Sequence, residues 1–200
     1  FKALLFLGAG SVIHAVNDEQ DMRKMGGIYQ FIPFTQVMMV IGTISLMGFP
    51  FTSGFYSKDA IIEAVHLSHI PGAGVAYYAI LSGVFITALY SFRLVFLVFH
   101  GEERFDEKTR SHLHESPLVV TIPLMLLAIL SVGSGAVAIT PMLFGGFFGD
   151  GIYVATSHDV LAELGTHYHG VLGMMIHGLS QPPFWLAAAG VFTAWFCYLR

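Results

Sequence analysis

Two lysines lie beside or within apolar runs of this 200-residue chain, and their positions suggest chemistry. Lys2 opens one apolar run, and Lys58 lies in the second half of another. A charge at the centre of a bilayer costs roughly 3 kcal/mol or more, so an ionisable side chain placed there usually serves an ion or proton path. Lysine suits such a path because burial makes protonation of its amine sensitive to nearby charges.

Other ionisable residues accompany the two lysines. Asp59, Glu63 and His66 are spaced so that they share one helical face, and together they could form a polar exit toward the non-cytoplasmic side. His14 ends the first apolar run, ~18 Å from Lys2 at 1.5 Å per helical residue, which is too far for direct proton transfer. As an isolated histidine, His14 is more typical of a hydrogen-bonded packing residue than of a relay.

The composition is that of a membrane protein. Hydrophobic residues make up 55% of the chain and charged residues 11%, with a mean hydropathy of +0.70, whereas a soluble domain carries about a quarter charged residues. The net charge of -4, without a basic run, argues against nucleic-acid binding. The single cysteine, Cys197, excludes an internal disulfide and a cysteine-based metal site. The histidines follow no recognised metal-binding pattern, so no metal site is expected.

Apolar segments of membrane length predict an all-α, polytopic helix bundle with about five transmembrane segments. The first and last are short, and we interpret the chain as a fragment of a longer protein. The Gly- and His-rich region 141–183 is predicted to be a non-cytoplasmic loop, with a short interfacial helix near Asp159 and Glu163. The predicted segments are 1–16, 32–65, 75–99, 118–140 and 184–200.

Lysine and arginine set the predicted orientation, because cytoplasmic loops collect them. Of the nine, seven fall on one side when the segments alternate, and none falls in the opposite loops 66–74 and 141–183. Loops 17–31 and 100–117 are therefore predicted to be cytoplasmic. The two remaining basic residues are Lys2 and Lys58.

The second apolar segment is too long for an ordinary span, because 34 helical residues would extend ~51 Å. Gly48, Pro50 and Gly54 interrupt it, which predicts a discontinuous helix over 32–65. Broken helices recur in ion-coupled transport. A simple proline kink is the alternative. Lys58 could likewise snorkel to the interface, unless the break returns it to membrane depth.

Three motifs resemble one known family. The run from Phe1 to His14 is similar to a helix of the largest antiporter-like subunit of respiratory complex I, the subunit L family of NADH–quinone oxidoreductase (chain 5 in mitochondria). Residues 22–28, Met-Arg-Lys-Met-Gly-Gly-Ile, resemble the loop motif of that family. Residues 54–59, Gly-Phe-Tyr-Ser-Lys-Asp, resemble its broken-helix lysine motif.

This resemblance implies a proton-translocating subunit driven by quinone reduction elsewhere in the complex. Lys2 would belong to the middle of a polar axis, and Lys58 would lie nearest the outlet, with His14, Asp59 and Glu63 as further proton-transfer candidates. The resemblance implies no flavin, iron–sulfur cluster, NADH or quinone in this subunit. Residues 1–65 would end the antiporter-like core, and residues 66–200 would hold the C-terminal transmembrane helices.

The implied partners are the other membrane-arm subunits, especially the adjacent antiporter-like subunit, together with the lipid of the bacterial inner membrane. The large subunit of a multisubunit sodium/proton antiporter is the alternative, since it resembles the same motifs. That family more typically carries glutamate after the broken-helix lysine, so Asp59 favours complex I. A purely structural scaffold is disfavoured, because it needs no broken helix beside an ionisable residue.

Overall fold

The computed structural model describes residues 1–155 and 158–200, and in these ranges the regular structure is helical. Three-residue 3-10 turns occur at Met22–Lys24, Ile28–Gln30 and Gly149–Gly151, and α6 continues as a wider π turn over Thr140–Phe144. The helices are α1 (Lys2–Ala15), α2 (Pro33–Met47), α3 (Ser53–Leu67), α4 (Ala73–Phe99), α5 (Glu107–His112), α6 (Leu118–Ile139), α7 (Val160–His167), α8 (Gly170–Ser180) and α9 (Pro182–Leu199).

Three helices in the described part of the chain are long and apolar enough to cross a membrane, namely α4, α6 with its π turn, and α9. Helices α1, α2 and α8 are apolar but shorter. The predicted all-α membrane bundle is confirmed, with the second predicted segment divided into α2 and α3.

The two halves of the divided helix lie at the centre of the bundle. Helix α2 contacts α1, α4 and α6, and α3 contacts α4, α6 and α7. Helix α9 packs along α4, where a Cβ on Gly190 would lie 2.5 Å from the Phe85 carbonyl oxygen. The outer helices therefore surround the interruption between α2 and α3.

The interruption covers residues 48–52, within the predicted range. Gly48 has a left-handed φ of 81°, and its N–H and that of Phe49 donate to the carbonyl oxygens of Ser45 and Ile44, which is the hydrogen-bonding pattern of a Schellman cap. Phe51 also has a positive φ, 76°, which is uncommon for a residue with a side chain. The chain thus stops one helix and starts another through strained backbone.

Helix α6 holds the interruption in place through serine side chains. The Ser45 hydroxyl donates to the Ser131 carbonyl oxygen at 3.3 Å, and the Ser53 hydroxyl lies 3.0 Å from the Leu130 carbonyl oxygen. The Gly135 N–H donates to Ser53 Oγ, also at 3.0 Å. These bonds give backbone groups of α6 partners that lipid could not offer.

Region 141–183 is more structured than predicted. The expected short helix is present as α7, and the Asp159 carboxylate accepts the Ala162 N–H at 3.0 Å as its N-cap. The sequence did not indicate α8, which packs on α3 so closely that a Cβ on Gly178 would lie 2.5 Å from the Phe55 ring. This region therefore covers the α3 side of the break.

Two loops predicted to be cytoplasmic are tied together by Arg104. Its guanidinium donates to the carbonyl oxygens of Arg23 at 2.9 Å and Leu97 at 2.7 Å. Within the first loop, hydrogen bonds from Arg23 lower the pKa of Asp21 to about 2, so this half-buried carboxylate stays charged at neutral pH. The resemblance motif at residues 22–28 is thus part of a fixed loop.

Replacing Gly54 tests the close approach of the two half-helices. A Cβ at Gly54 would clash with the Ser45 carbonyl oxygen, which belongs to the end of α2. We expect Gly54→Ala to destabilise the folded protein by about 1–3 kcal/mol, because backbone cannot move aside as a flexible side chain can. Thermal unfolding in detergent measures the loss. Gly133→Ala is the control, since a Cβ there meets nothing within 4 Å, and equal stability of the two variants would contradict the proposed close contact.

Candidate functional site

Lys58 lies on α3 and reaches back across the interruption to the end of α2. Its Nζ lies 3.5 Å from the Met47 carbonyl oxygen, to which it donates. Its Cδ would be 3.0 Å from a Cβ added to Gly48, so the absence of a side chain at Gly48 makes room for the lysine. Lys58 is half-buried. The ammonium therefore lies at the negative end of a helix dipole.

This contact provides a hydrogen-bond donor for the Met47 carbonyl, which the helix cap does not bind. The cap at Gly48 serves the carbonyl oxygens of Ile44 and Ser45, but not that of Met47. A backbone carbonyl without a partner is costly in an apolar environment. Lys58 supplies the donor, and the carbonyl in turn stabilises the ammonium.

Asp59, the next residue, borders two cavities. The smaller cavity, about 20 Å³, is bordered by both Lys58 and Asp59 and is large enough for about one water molecule. The larger cavity, about 860 Å³, is bordered by Asp59 but not by Lys58. Asp59 is only 5% exposed, and its Oδ2 has no hydrogen-bond partner among the described residues.

The larger cavity gathers the ionisable face that the sequence indicated on α3. Asp59, Glu63 and His66 all border it. Glu63 Oε1 lies 3.5 Å from Nε2 of His177 on α8, and the His66 ring packs on Tyr77 of α4 with 4.6 Å between centroids. The cavity is thus lined from α3, α4 and α8, as well as from α7.

The sequence did not assign a role to three histidines of this cavity, His167, His169 and His177. Their only local signal was the i, i+2 spacing of His167 and His169. No group of three or more His, Cys, Asp or Glu side chains is placed to hold a metal ion in residues 1–155 and 158–200.

Lys2 and His14 lie apart from this cluster. Lys2 is exposed at the first turn of α1, and His14 is exposed at its last turn. Neither borders the two cavities beside Asp59. The structure therefore groups Lys58, Asp59 and Glu63 and leaves the other two candidates outside the group.

A third cavity is bordered by a chain neighbour of each lysine. Phe1, next to Lys2, and Ser57, next to Lys58, border the same groove of about 340 Å³. Ser53, Ser131 and Ser134 also line it. Phe1 and the start of α3 therefore border a common groove whose walls carry both serine and apolar side chains.

Comparison with known proteins agrees with this architecture. A family model described as "NADH:quinone oxidoreductase/Mrp antiporter, TM" matches residues 1–87. The NADH-quinone oxidoreductase subunit L of Neisseria meningitidis serogroup A is 48% identical over the whole chain, which covers 32% of that relative. Subunit L of Rhodobacter capsulatus is also 48% identical, over 75% of the chain and 22% of the relative.

A mitochondrial-type relative shows the same similarity. The NADH-ubiquinone oxidoreductase chain 5 of Marchantia polymorpha is 46% identical over 82% of the chain and 25% of the relative. The chain thus spans about a third or less of the length of these curated relatives. Residues 1–87 are thus similar to the NADH:quinone oxidoreductase/Mrp antiporter transmembrane family, and the chain is similar to a part of its subunit L and chain 5 relatives.

Proposed function

We propose that this chain forms part of a proton-translocating membrane subunit of NADH:quinone oxidoreductase, a translocase. The observation that carries the proposal is the position of Lys58 at the broken helix, one residue from an aspartate that borders two cavities. The relatives are named as subunits of this oxidoreductase, which supports the proposal that the chain contributes to the same complex.

The proposed outlet starts at the Lys58 ammonium. A proton released from Lys58 passes to Asp59, directly or through one water in the small cavity, whose volume is about 20 Å³. From Asp59 it enters the large cavity and leaves past Glu63 and His66. His177, 3.5 Å from Glu63, is a further group on this route. Histidine suits the step because its two ring nitrogens can donate and accept hydrogen bonds.

The proposed supply to Lys58 comes from the side of Lys2. The groove bordered by Phe1 and Ser57, the chain neighbours of the two lysines, is about 340 Å³ and has room for waters. Hydroxyl groups on its walls can both donate and accept hydrogen bonds. His14 would act at the cytoplasmic end of α1.

The whole subunit would bind lipid and the other membrane-arm subunits, in particular the adjacent antiporter-like subunit. We place it in the bacterial inner membrane, with loops 17–31 and 100–117 in the cytoplasm, in agreement with the distribution of lysine and arginine. NADH, flavin, iron–sulfur clusters and quinone would be bound by other subunits.

The sodium/proton antiporter is the second candidate, since the matching family description includes Mrp antiporters. The relatives described above are named as oxidoreductase subunits, which favours the first candidate. Proton pumping that depends on NADH oxidation and is independent of added sodium separates the two.

Replacing Lys58 by alanine tests the proposed proton transfer through its amine. We expect Lys58→Ala, in the full-length subunit of the assembled complex, to lower the number of protons pumped per electron at least about twofold, because a positioned acid–base group speeds proton transfer by roughly 10²–10⁴-fold. Pumping into vesicles during NADH oxidation measures the ratio.

Lys108→Ala is the matched control for this experiment, since Lys108 is an exposed lysine of the cytoplasmic-side helix α5. Assembly should be nearly unchanged in both variants. A normal ratio in an assembled Lys58→Ala complex would refute the proposed function.

Asp59→Asn tests the outlet separately. The amide keeps the size of the side chain but cannot carry a proton between the two cavities, so we expect pumping to fall while the complex still assembles. The same vesicle assay measures it. Glu163→Gln, at an exposed carboxylate of α7 that does not border the large cavity, is the control. If Asp59→Asn pumps as well as this control, protons do not leave through Asp59.

A further inference from the structure

Glu115 lies at the N-terminal end of α2, whereas Lys58 lies at its C-terminal end. In sequence, Glu115 is 80 residues from Thr35 of α2. Its Oε2 accepts the backbone N–H groups of Phe34 at 2.9 Å and Thr35 at 3.2 Å. Its Oε1 accepts the Thr35 hydroxyl at 2.5 Å and the Ser116 N–H at 3.3 Å. The half-buried carboxylate therefore accepts from four donors, three of which belong to the first turn of α2.

This cap replaces one that the local sequence does not provide. The residue before α2 is Ile32, which has no side-chain capping hydrogen bond, and Pro33 occupies the first helical position. The first N–H groups of a helix have no partner within the helix, and a negative charge there is favoured by the helix dipole. Glu115 supplies both the acceptors and the charge from the segment that precedes α6.

A small polar network extends the cap to α1. Thr35 Oγ1 lies 3.3 Å from the Ser11 hydroxyl, and both side chains are buried. The Ser11 hydroxyl also contacts that of Ser116. The cap thus joins α1, α2 and the start of α6 at one point.

Helix α2 is held by ionisable side chains at both ends. Glu115 binds its N–H end, and Lys58 contacts its carbonyl end at Met47. With 15 residues, α2 is ~22 Å long. A helix of this length is only marginally stable in isolation, so its stability and position depend on the residues that contact its ends. Movement at the Glu115 end displaces the carbonyl that Lys58 uses.

We propose that Glu115 is a positioning residue for Lys58. It fixes the N-terminus of α2, and through the rigid half-helix it sets the place of the Met47 carbonyl oxygen that holds the Lys58 ammonium. This inference rests on the proposed function, because it assigns Glu115 a part in proton transfer by Lys58 beyond packing.

The test uses Glu115→Gln and Glu115→Asp in the full-length subunit of the assembled complex, with protons pumped per electron as the readout. The glutamine variant loses the charge and one acceptor, so we expect its ratio to fall roughly two- to fivefold, in line with the loss of a helix cap. The aspartate variant keeps the charge and both oxygens and should recover part of the loss. Glu107→Gln is the control, since Glu107 is exposed in the same loop on α5.

A double variant separates positioning from a structural role. If Glu115 acts through Lys58, Glu115→Gln should lower the ratio no further in a Lys58→Ala background. A normal ratio in Glu115→Gln, or fewer assembled complexes that each pump normally, would overturn the inference. If Lys58→Ala itself pumps normally, the proposed function fails instead, so the two failures are distinguishable.

Discussion

The carbonyl end of α2 is the constraint on which the central part of the structure depends. Where a helix ends inside a membrane, backbone groups without helical hydrogen bonds need partners from the protein or from water in an enclosed cavity. Three contacts meet this requirement. The Gly48 cap binds two of the last carbonyl groups of α2, and the Ser45 hydroxyl binds a backbone carbonyl of α6. The Lys58 ammonium of α3 binds the Met47 carbonyl. The broken helix is stable because these elements surround it.

The same requirement links structure with chemistry. In the proposed function, release of the Lys58 proton would also remove the charge from its contact with the Met47 carbonyl and weaken that interaction. The charge of Lys58 and the packing of the interruption are therefore coupled. Phe51, held at a positive φ of 76° beside this contact, shows that the backbone of the interruption carries strain. A change in the charge of Lys58 would thus act on a segment with a strained backbone.

Much of the fold could be predicted from the sequence, because hydropathy and helix breakers act locally. The apolar segments, the interruption near Pro50 and the acidic face after Lys58 all followed from residue type and spacing. Helix α8 did not, because its 11 residues are too few to span a bilayer and contain several glycines. Its place is set by contact with Phe55, which no local pattern records.

The role of Glu115 was also beyond local prediction, since a capping residue normally lies within four residues of the N–H groups that it binds. In the sequence it is one more charge in a polar loop. Only the fold brings it to α2, from 80 residues away. The histidines at the large cavity present the same difficulty, because their relation to Glu63 depends on α8 returning toward α3.

Two carboxylates of this chain show how the surroundings of a group determine its use. Four donors fix both oxygens of Glu115, so this side chain can hold a helix in place. Asp59 is more buried, yet its Oδ2 has no partner among the described residues and the residue borders two cavities. A group that passes protons must have an atom that can change its hydrogen-bond partner, and Asp59 has one. Hydrogen-bond partners, rather than burial alone, therefore distinguish a carboxylate that positions a helix from one that is suited to proton transfer.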